Sequence, residues 1–107
     1  MVCHYSYGGD TARAVFAPTR DPYAVKAVNI AHRFALKAVY LSAPREIASV
    51  SIYVYDVDND GRLLHEAKYA PPYSRVSSAP GYGFTGKQRV YSAQGRELEY
   101  ACELATP

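Results

Sequence analysis

The 107-residue sequence has no long apolar run and no tryptophan, and it contains only two cysteines. No stretch approaches the ~18 consecutive apolar residues that a membrane-spanning helix needs, so we expect no membrane partner. The opening residues, Met-Val-Cys-His-Tyr, show neither the charged nor the apolar region of a secretory signal. These absences predict a cytoplasmic protein.

The cysteines and histidines are too scattered to suggest a metal centre. Cys3 and Cys102 stand near opposite ends of the chain, and no C-x-x-C or H-x-x-x-H spacing is present. Free thiols are the default in the cytoplasm, and a Cys3–Cys102 bridge is the alternative if the first and last strands are neighbours. His4, His32 and His65 lie far apart in the sequence. We therefore predict no metal, no cofactor and no catalytic residue, and we favour a protein without enzymatic activity.

The length and the net charge of the chain limit the number of domains and the classes of protein it could belong to. The 107 residues fit one domain, so we predict a single globular domain over residues 1–107. A hydrophobic content of 49% is enough for a packed core. The chain is too short for a doubly wound nucleotide-binding fold or a kinase. Its net charge of +2 and isoelectric point near 8.5 fall short of a strong nucleic-acid binder.

Residues 47–69 carry the firmest local signal, because apolar residues alternate on both sides of an Asp/Asn/Gly cluster. Such a pattern is typical of a β-hairpin. The register that keeps one face mostly apolar pairs Val50 with Tyr69, Ile52 with Ala67 and Val54 with His65. A shift by one residue would bring Glu66 onto that face. The opposite face then carries Tyr53 and Tyr55.

Two further hairpins follow from turn chemistry. Gly8-Gly9-Asp10 separates two runs rich in aromatic or β-branched residues, which predicts an N-terminal hairpin. Near the other end, Ala93-Gln94-Gly95 fits a three-residue hairpin loop with glycine in the left-handed position. The register set by that loop places Arg89 opposite Glu99, and the opposite charges agree with it.

A helix is predicted over residues 22–41. Asp21 is a good N-cap, and Pro22 suits the first helical position because its missing N–H has no partner there. Small apolar residues recur on one side at helical spacing, namely Ala24, Ala27, Val28, Ala31, Ala35 and Ala38. The fold class predicted is therefore α+β, with one amphipathic helix packed on an antiparallel, meander-type sheet of about five or six strands.

The segment Asp56-x-Asp58-x-Asp60-Gly61 matches the first half of a calcium-binding loop. Such a loop needs a bidentate glutamate at its twelfth position, and this sequence has Ala67 there. The flanking segments resemble strands rather than helices. The pattern therefore favours a hairpin turn, in which Asp and Asn tolerate unusual backbone angles.

The glycines of Gly81-x-Gly83-x-x-Gly86 match the dinucleotide-binding fingerprint. That motif works only between a strand and a helix, whose N-terminus binds the phosphates. Here residues 70–83, rich in Pro, Gly and Ser, read as a loop, and residues 73–76 are compatible with a short strand. A strand-like segment follows the motif. The glycines therefore favour a loop that enters a strand.

Tyrosine is the compositional oddity, with 11 copies and no tryptophan. Tyr53 and Tyr55 are expected on the outer face of their strand, and Tyr91 is expected in a similar position on another. Exposed tyrosines on a sheet suit protein recognition, because each buries a large area with little loss of entropy. The leading hypothesis is a small cytoplasmic protein-interaction module, a homodimer that associates through this tyrosine-bearing face.

Two alternatives stay open. The polar side of the predicted helix carries Lys26, Asn29, Arg33 and Lys37 in one stripe. This stripe suits an accessory nucleic-acid-binding protein, because Lys and Arg contact phosphates and Asn and Arg read bases. The second alternative is a small-ligand-binding or enzymatic cup between helix and sheet, bordered by residues 70–83.

Overall fold

The computed structural model describes residues 1–41, 49–70 and 83–104. The predicted strand at 73–76, and residues 71–82 of the predicted loop, lie outside the described residues. Eight strands are present within the described ranges: β1 Val2–Tyr7, β2 Asp10–Val15, β3 Val28–Ile30, β4 Phe34–Leu41, β5 Ser49–Asp56, β6 Arg62–Tyr69, β7 Gln88–Tyr91 and β8 Glu97–Glu103. Neighbouring strands pair antiparallel. In the same ranges, no helix is long and apolar enough to cross a membrane.

The predicted helix over residues 22–41 is wrong, and the α+β fold class is wrong with it. Asp21 does cap a helical turn, since its Oδ1 accepts a hydrogen bond from the Tyr23 N–H at 2.9 Å. That turn is a 3-10 element of three residues, Pro22–Ala24. Most of the remaining segment forms β3, Val28–Ile30, and β4, Phe34–Leu41, so the described part of the chain is nearly all β.

The connection between β3 and β4 is incompatible with a helix. Ala31 and His32 adopt positive φ angles of 52° and 58°, and a right-handed helix cannot pass through left-handed residues. Asn29 supports the turn, because its Oδ1 accepts a hydrogen bond from the His32 N–H at 2.9 Å. The alanine spacing that predicts a helix is outweighed by the pairing of two strands.

The chain divides into two compact units, one of Met1–Phe16 with Tyr73–Pro107 and one of Ala17–Pro72. The described strands of the first unit form a sheet of order β2-β1-β8-β7, and those of the second form a sheet of order β3-β4-β5-β6. A single globular domain over residues 1–107 stays a prediction.

In the second unit, the register predicted for the central hairpin is confirmed. The structure pairs Val50 with Tyr69, Ile52 with Ala67 and Val54 with His65. The turn between β5 and β6 contains Asp60 and Gly61 at φ 57° and 67°, in agreement with the predicted hairpin turn. A β-bulge follows Val54: the next pair is Tyr55 with Leu63, so the register skips Leu64 on β6. The sequence pattern alone does not reveal this extra residue.

In the first unit, both predicted hairpins are confirmed. Tyr7 pairs with Asp10 across the Gly8-Gly9 turn, and Arg89 pairs with Glu99 across the last hairpin. The two ends of the chain meet in the middle of this sheet, where β1 lies beside β8.

Cys3 and Cys102 are direct cross-strand neighbours and form a disulfide across a sequence separation of 99. The expectation of free thiols is therefore wrong, and the alternative of a bridge is what the structure contains. Both residues are fully buried. A disulfide that closes so long a loop stabilises a fold by roughly 2–5 kcal/mol, chiefly by restricting the unfolded chain.

Gly83 lies against the strand that carries Cys102. Its φ is +58°, and a Cβ atom at this position would collide with the Cys102 carbonyl group. The turn that follows Gly83 supplies a hydrogen-bond acceptor to the same strand. The buried Thr85 Oγ1 accepts a hydrogen bond from the Cys102 N–H at 2.9 Å. Gln88 Nε2 in turn donates to the Thr85 carbonyl at 2.9 Å. Gly83 of the fingerprint-like motif thus has a packing role beside the disulfide.

We expect Gly83→Ala to destabilise the protein more than Gly95→Ala does. Both positions have positive φ, 58° and 81°, so both share a conformational penalty of about 1–2 kcal/mol. Only Gly83 faces backbone atoms where the new methyl group would lie, whereas Gly95 faces open space. Thermal unfolding of the two variants measures the difference. An equal loss at both positions would contradict the packing role of Gly83.

Candidate functional site

The outer side of β5 carries two tyrosines side by side. Tyr53 and Tyr55 alternate with Val50, Ile52 and Val54, which are fully buried on the inner side. The two rings are stacked, with centroids 6.3 Å apart and an angle of 19° between their planes. The predicted outward position of this pair is therefore what the structure shows, and the rings form a continuous half-buried aromatic surface.

The strands on either side complete two rows of paired residues across this surface. Residues paired across antiparallel strands point to the same face of a sheet. One row is Lys37–Tyr53–Glu66, and the other is Ala35–Tyr55–Leu63. We call these six residues the tyrosine face. Leu63 is 45% exposed although it is aliphatic, so the face combines apolar and charged groups around the phenols.

Burial affects the titration of Tyr55. The pKa of Tyr55 is raised above its ordinary value by burial, and then by electrostatic repulsion from Tyr53 and Glu66. Its phenol therefore keeps its proton at neutral pH and can donate a hydrogen bond. On the inner side, burial lowers the pKa of His65, which favours the neutral ring opposite Val54.

The four residues of the predicted basic stripe do not share one surface, because the helix that would align them is absent. Lys26 lies between the 3-10 turn and β3. Arg33 is engaged elsewhere, since its Nη1 donates to both carboxylate oxygens of Asp58 at 3.0 Å. Asn29 pairs with Ala35 in register, and Lys37 pairs with Tyr53. Asn29 and Lys37 therefore lie on the same side of the sheet as the two tyrosines.

Tyr91 belongs to a different sheet. It lies on β7 in the first unit, is 56% exposed and pairs with Glu97. The three tyrosines predicted as one binding set are therefore divided between the two units, and only Tyr53 and Tyr55 are in ring contact.

A charged network on the first unit escaped the sequence reasoning, except for its Arg89–Glu99 pair. Lys87 Nζ lies 3.2 Å from Glu99 Oε1, and Arg89 Nε lies 3.3 Å from Glu97 Oε1 and 3.2 Å from Glu99 Oε2. Burial acts to raise the pKa of Glu99, but hydrogen bonds from Lys87 and Arg89 outweigh it and the pKa falls. These cations neutralise carboxylates of their own sheet, which leaves little charge to attract an anion.

A shallow groove of about 260 Å³ lies beside this network. Its lining includes His4, Ser6, Thr11, Lys87 and Glu99. His4 Nε2 is 3.0 Å from Glu103 Oε1, and Lys87 is paired with Glu99. The alternation of Glu97, Glu99 and Glu103 along the last strand is the sequence signal that could have indicated this polar surface.

Metal and ligand motifs gain no support from the geometry. Within residues 1–41, 49–70 and 83–104, no group of three or more His, Cys, Asp or Glu side chains is arranged to hold a metal ion. The proposed cup between helix and sheet lacks its helix, and residues 71–82 of its predicted border lie outside the described residues. That cup is therefore withdrawn as a candidate site.

Comparison of the chain with protein-family models, with curated proteins and with solved structures gives no match.

One buried group has no evident structural partner. Asp56 is fully buried at the end of β5, and neither carboxylate oxygen has a hydrogen-bond partner among the described residues. It pairs with Phe34 in register, which places it on the inner, apolar side of the sheet. A buried polar group without a partner destabilises a fold.

We expect Asp56→Asn to raise the free energy of unfolding by about 1–3 kcal/mol, because an uncharged amide is cheaper to bury without partners. Chemical denaturation followed by circular dichroism measures this change. Asp58→Asn is the matched control, since Asp58 is paired with Arg33 near the surface and its replacement should lower stability by about 1 kcal/mol or less. A loss of stability in Asp56→Asn would show that the carboxylate is needed.

Proposed function

We propose that this protein is a small protein-interaction module that self-associates through the tyrosine face. The observation that carries the proposal is the stacked pair Tyr53 and Tyr55 on the outer side of the sheet, flanked by Lys37, Glu66 and Leu63. Tyrosines are enriched in protein interfaces because the ring supplies contact area while the hydroxyl hydrogen-bonds. No cofactor and no catalytic group enters this proposal.

The charge distribution favours a protein partner over a nucleic acid. Of the predicted basic residues, only Lys37 brings a positive charge to the tyrosine face, where it is opposed by Glu66. The Arg33 guanidinium is held by Asp58. A surface that binds single-stranded nucleic acid through aromatic stacking also needs a positively charged groove along the backbone. Nucleic-acid binding through Lys26, Asn29, Arg33 and Lys37 is therefore the alternative outcome to be tested.

The combined change Tyr53→Ala and Tyr55→Ala should weaken self-association by roughly tenfold or more, because central aromatic residues carry much of an interface's binding energy. Size-exclusion chromatography with light scattering over a concentration series measures it. Tyr23→Ala is the matched control, since Tyr23 is 93% exposed outside the strands and should not matter. Tyr91→Ala tests separately whether the other sheet contributes.

An unchanged oligomeric state in the double variant would contradict the proposal. The same chromatography records absorbance at nucleic-acid and protein wavelengths. A monomer that carries nucleic acid, released steeply as salt is raised, would favour the nucleic-acid alternative, because phosphate contacts depend strongly on salt.

A cytoplasmic location is also a proposal, and the disulfide provides its test. Disulfides persist in oxidising compartments and are rare in the cytoplasm, where thiols are kept reduced. If the protein is cytoplasmic, alkylation of thiols in intact cells that make it should trap Cys3 and Cys102 as free thiols. Recovery of the Cys3–Cys102 disulfide from such cells would contradict the cytoplasmic proposal.

A further inference from the structure

In each row of the tyrosine face, the residue on β4 and the residue on β6 differ in charge or in size. In the first row, Lys37 and Glu66 lie on opposite sides of Tyr53, one strand away from it in each direction. In the second row, a small residue, Ala35, and a large one, Leu63, lie on opposite sides of Tyr55. The first row is therefore basic on β4 and acidic on β6. The second row has its small residue on β4 and its large residue on β6.

We propose that the partner of this face is a second copy of the chain, so that the β3-β4-β5-β6 sheets of the two copies pack face to face. The copies are related by a two-fold axis that runs parallel to β5, midway between these two sheets. This inference rests on the proposed function and specifies its geometry. Such an axis exchanges the β4 side of one copy with the β6 side of the other. It therefore places Lys37 opposite Glu66 of the second copy, and Glu66 opposite Lys37 of the second copy.

The same axis matches the second row by size. Leu63, which is 45% exposed, comes to lie opposite Ala35 of the second copy, where a small side chain leaves room for it. The tyrosines of the two copies lie along the axis and meet at the centre. Residues on a two-fold interface must be self-complementary, because the same patch serves both copies. Both rows meet this condition under one axis.

The other in-plane axis, perpendicular to the strands, fails the same condition. It keeps each strand opposite the same strand of the second copy, so no position of this axis brings Lys37 on β4 opposite Glu66 on β6. An axis along the first row would bring Lys37 opposite Lys37 and Glu66 opposite Glu66. Like charges brought together across an interface oppose association.

The ion pairs within one chain leave the charges of Lys37 and Glu66 available for contact with a second copy. Within the described residues no ion pair joins Lys37 to another side chain. Glu66 has one partner in its own strand, Lys68, at 3.5 Å, and the side chains are 40% and 69% exposed. An exposed pair of this kind contributes little, so Glu66 can exchange it for Lys37 of a second copy.

The experiment uses two charge reversals of the full chain, Lys37→Glu and Glu66→Lys. Each variant alone places like charges opposite each other twice, and its self-association should weaken by roughly tenfold or more. Mixed together, the two variants should form a heterodimer with an affinity near that of the unaltered chain, because every facing pair is again opposite in charge. Sedimentation velocity with one variant fluorescently labelled measures both results.

A single chain with both reversals provides a second measurement. It restores opposite charges in both facing pairs and should regain self-association. A size-based pair, Ala35→Leu and Leu63→Ala, tests the second row in the same way. Circular dichroism of each variant ensures that only folded protein is compared.

Failure of the mixture and of the double reversal to associate, when the unaltered chain does, would overturn this arrangement. If Tyr53→Ala with Tyr55→Ala still abolishes association in that case, the proposed function stands and only the axis is wrong. A chain that is monomeric at every concentration would overturn both the arrangement and self-association.

Discussion

The second unit depends on the register of β5 between β4 and β6. Successive side chains of a strand point to opposite faces, so this register decides at once which residues are buried and which are presented. Val50, Ile52 and Val54 are fully buried, while Tyr53 and Tyr55 face outward. A shift by one residue would exchange the two sets, exposing the aliphatic side chains and burying two phenols. The character of the tyrosine face is therefore a consequence of how the inner face packs.

The first unit depends on a different constraint, the pairing of its first strand with its last strand. β1 lies beside β8, and the disulfide joins Cys3 to Cys102 across them. Buried neighbours such as Leu98 and Tyr100 continue the inner side of the same strand. The ion pairs on the outer side contribute little by comparison, because exposed pairs are typically worth about 0–1 kcal/mol. Stability therefore rests on buried contacts and the cross-link rather than on the visible charges.

Loss of the predicted helix changes the balance between the functional hypotheses. A helical stripe would have aligned four polar residues for contact with phosphates, whereas the strands separate them and leave Arg33 paired with Asp58. The same change brings Lys37 into register with Tyr53. Residues taken from two competing hypotheses thus meet on one sheet face. Lys37 and Lys68 lie on that face together with Glu66, and this mixture of charges suits contact with a protein better than contact with a polyanion.

The hairpins follow from the sequence directly, because their signals are local. Gly8-Gly9 and Ala93-Gln94-Gly95 specify turns through backbone angles, and alternation on either side specifies which residues face inward. The conformation of residues 22–41 depends on tertiary structure. Their alanines suit a helix, yet Phe34, Leu36 and Ala38 also alternate and are buried as a strand beside β5. The Cys3–Cys102 bridge, the contact of Gly83 with Cys102 and the row Lys37–Tyr53–Glu66 likewise join residues distant in sequence. Local propensity cannot specify such contacts, because they depend on which strands become neighbours.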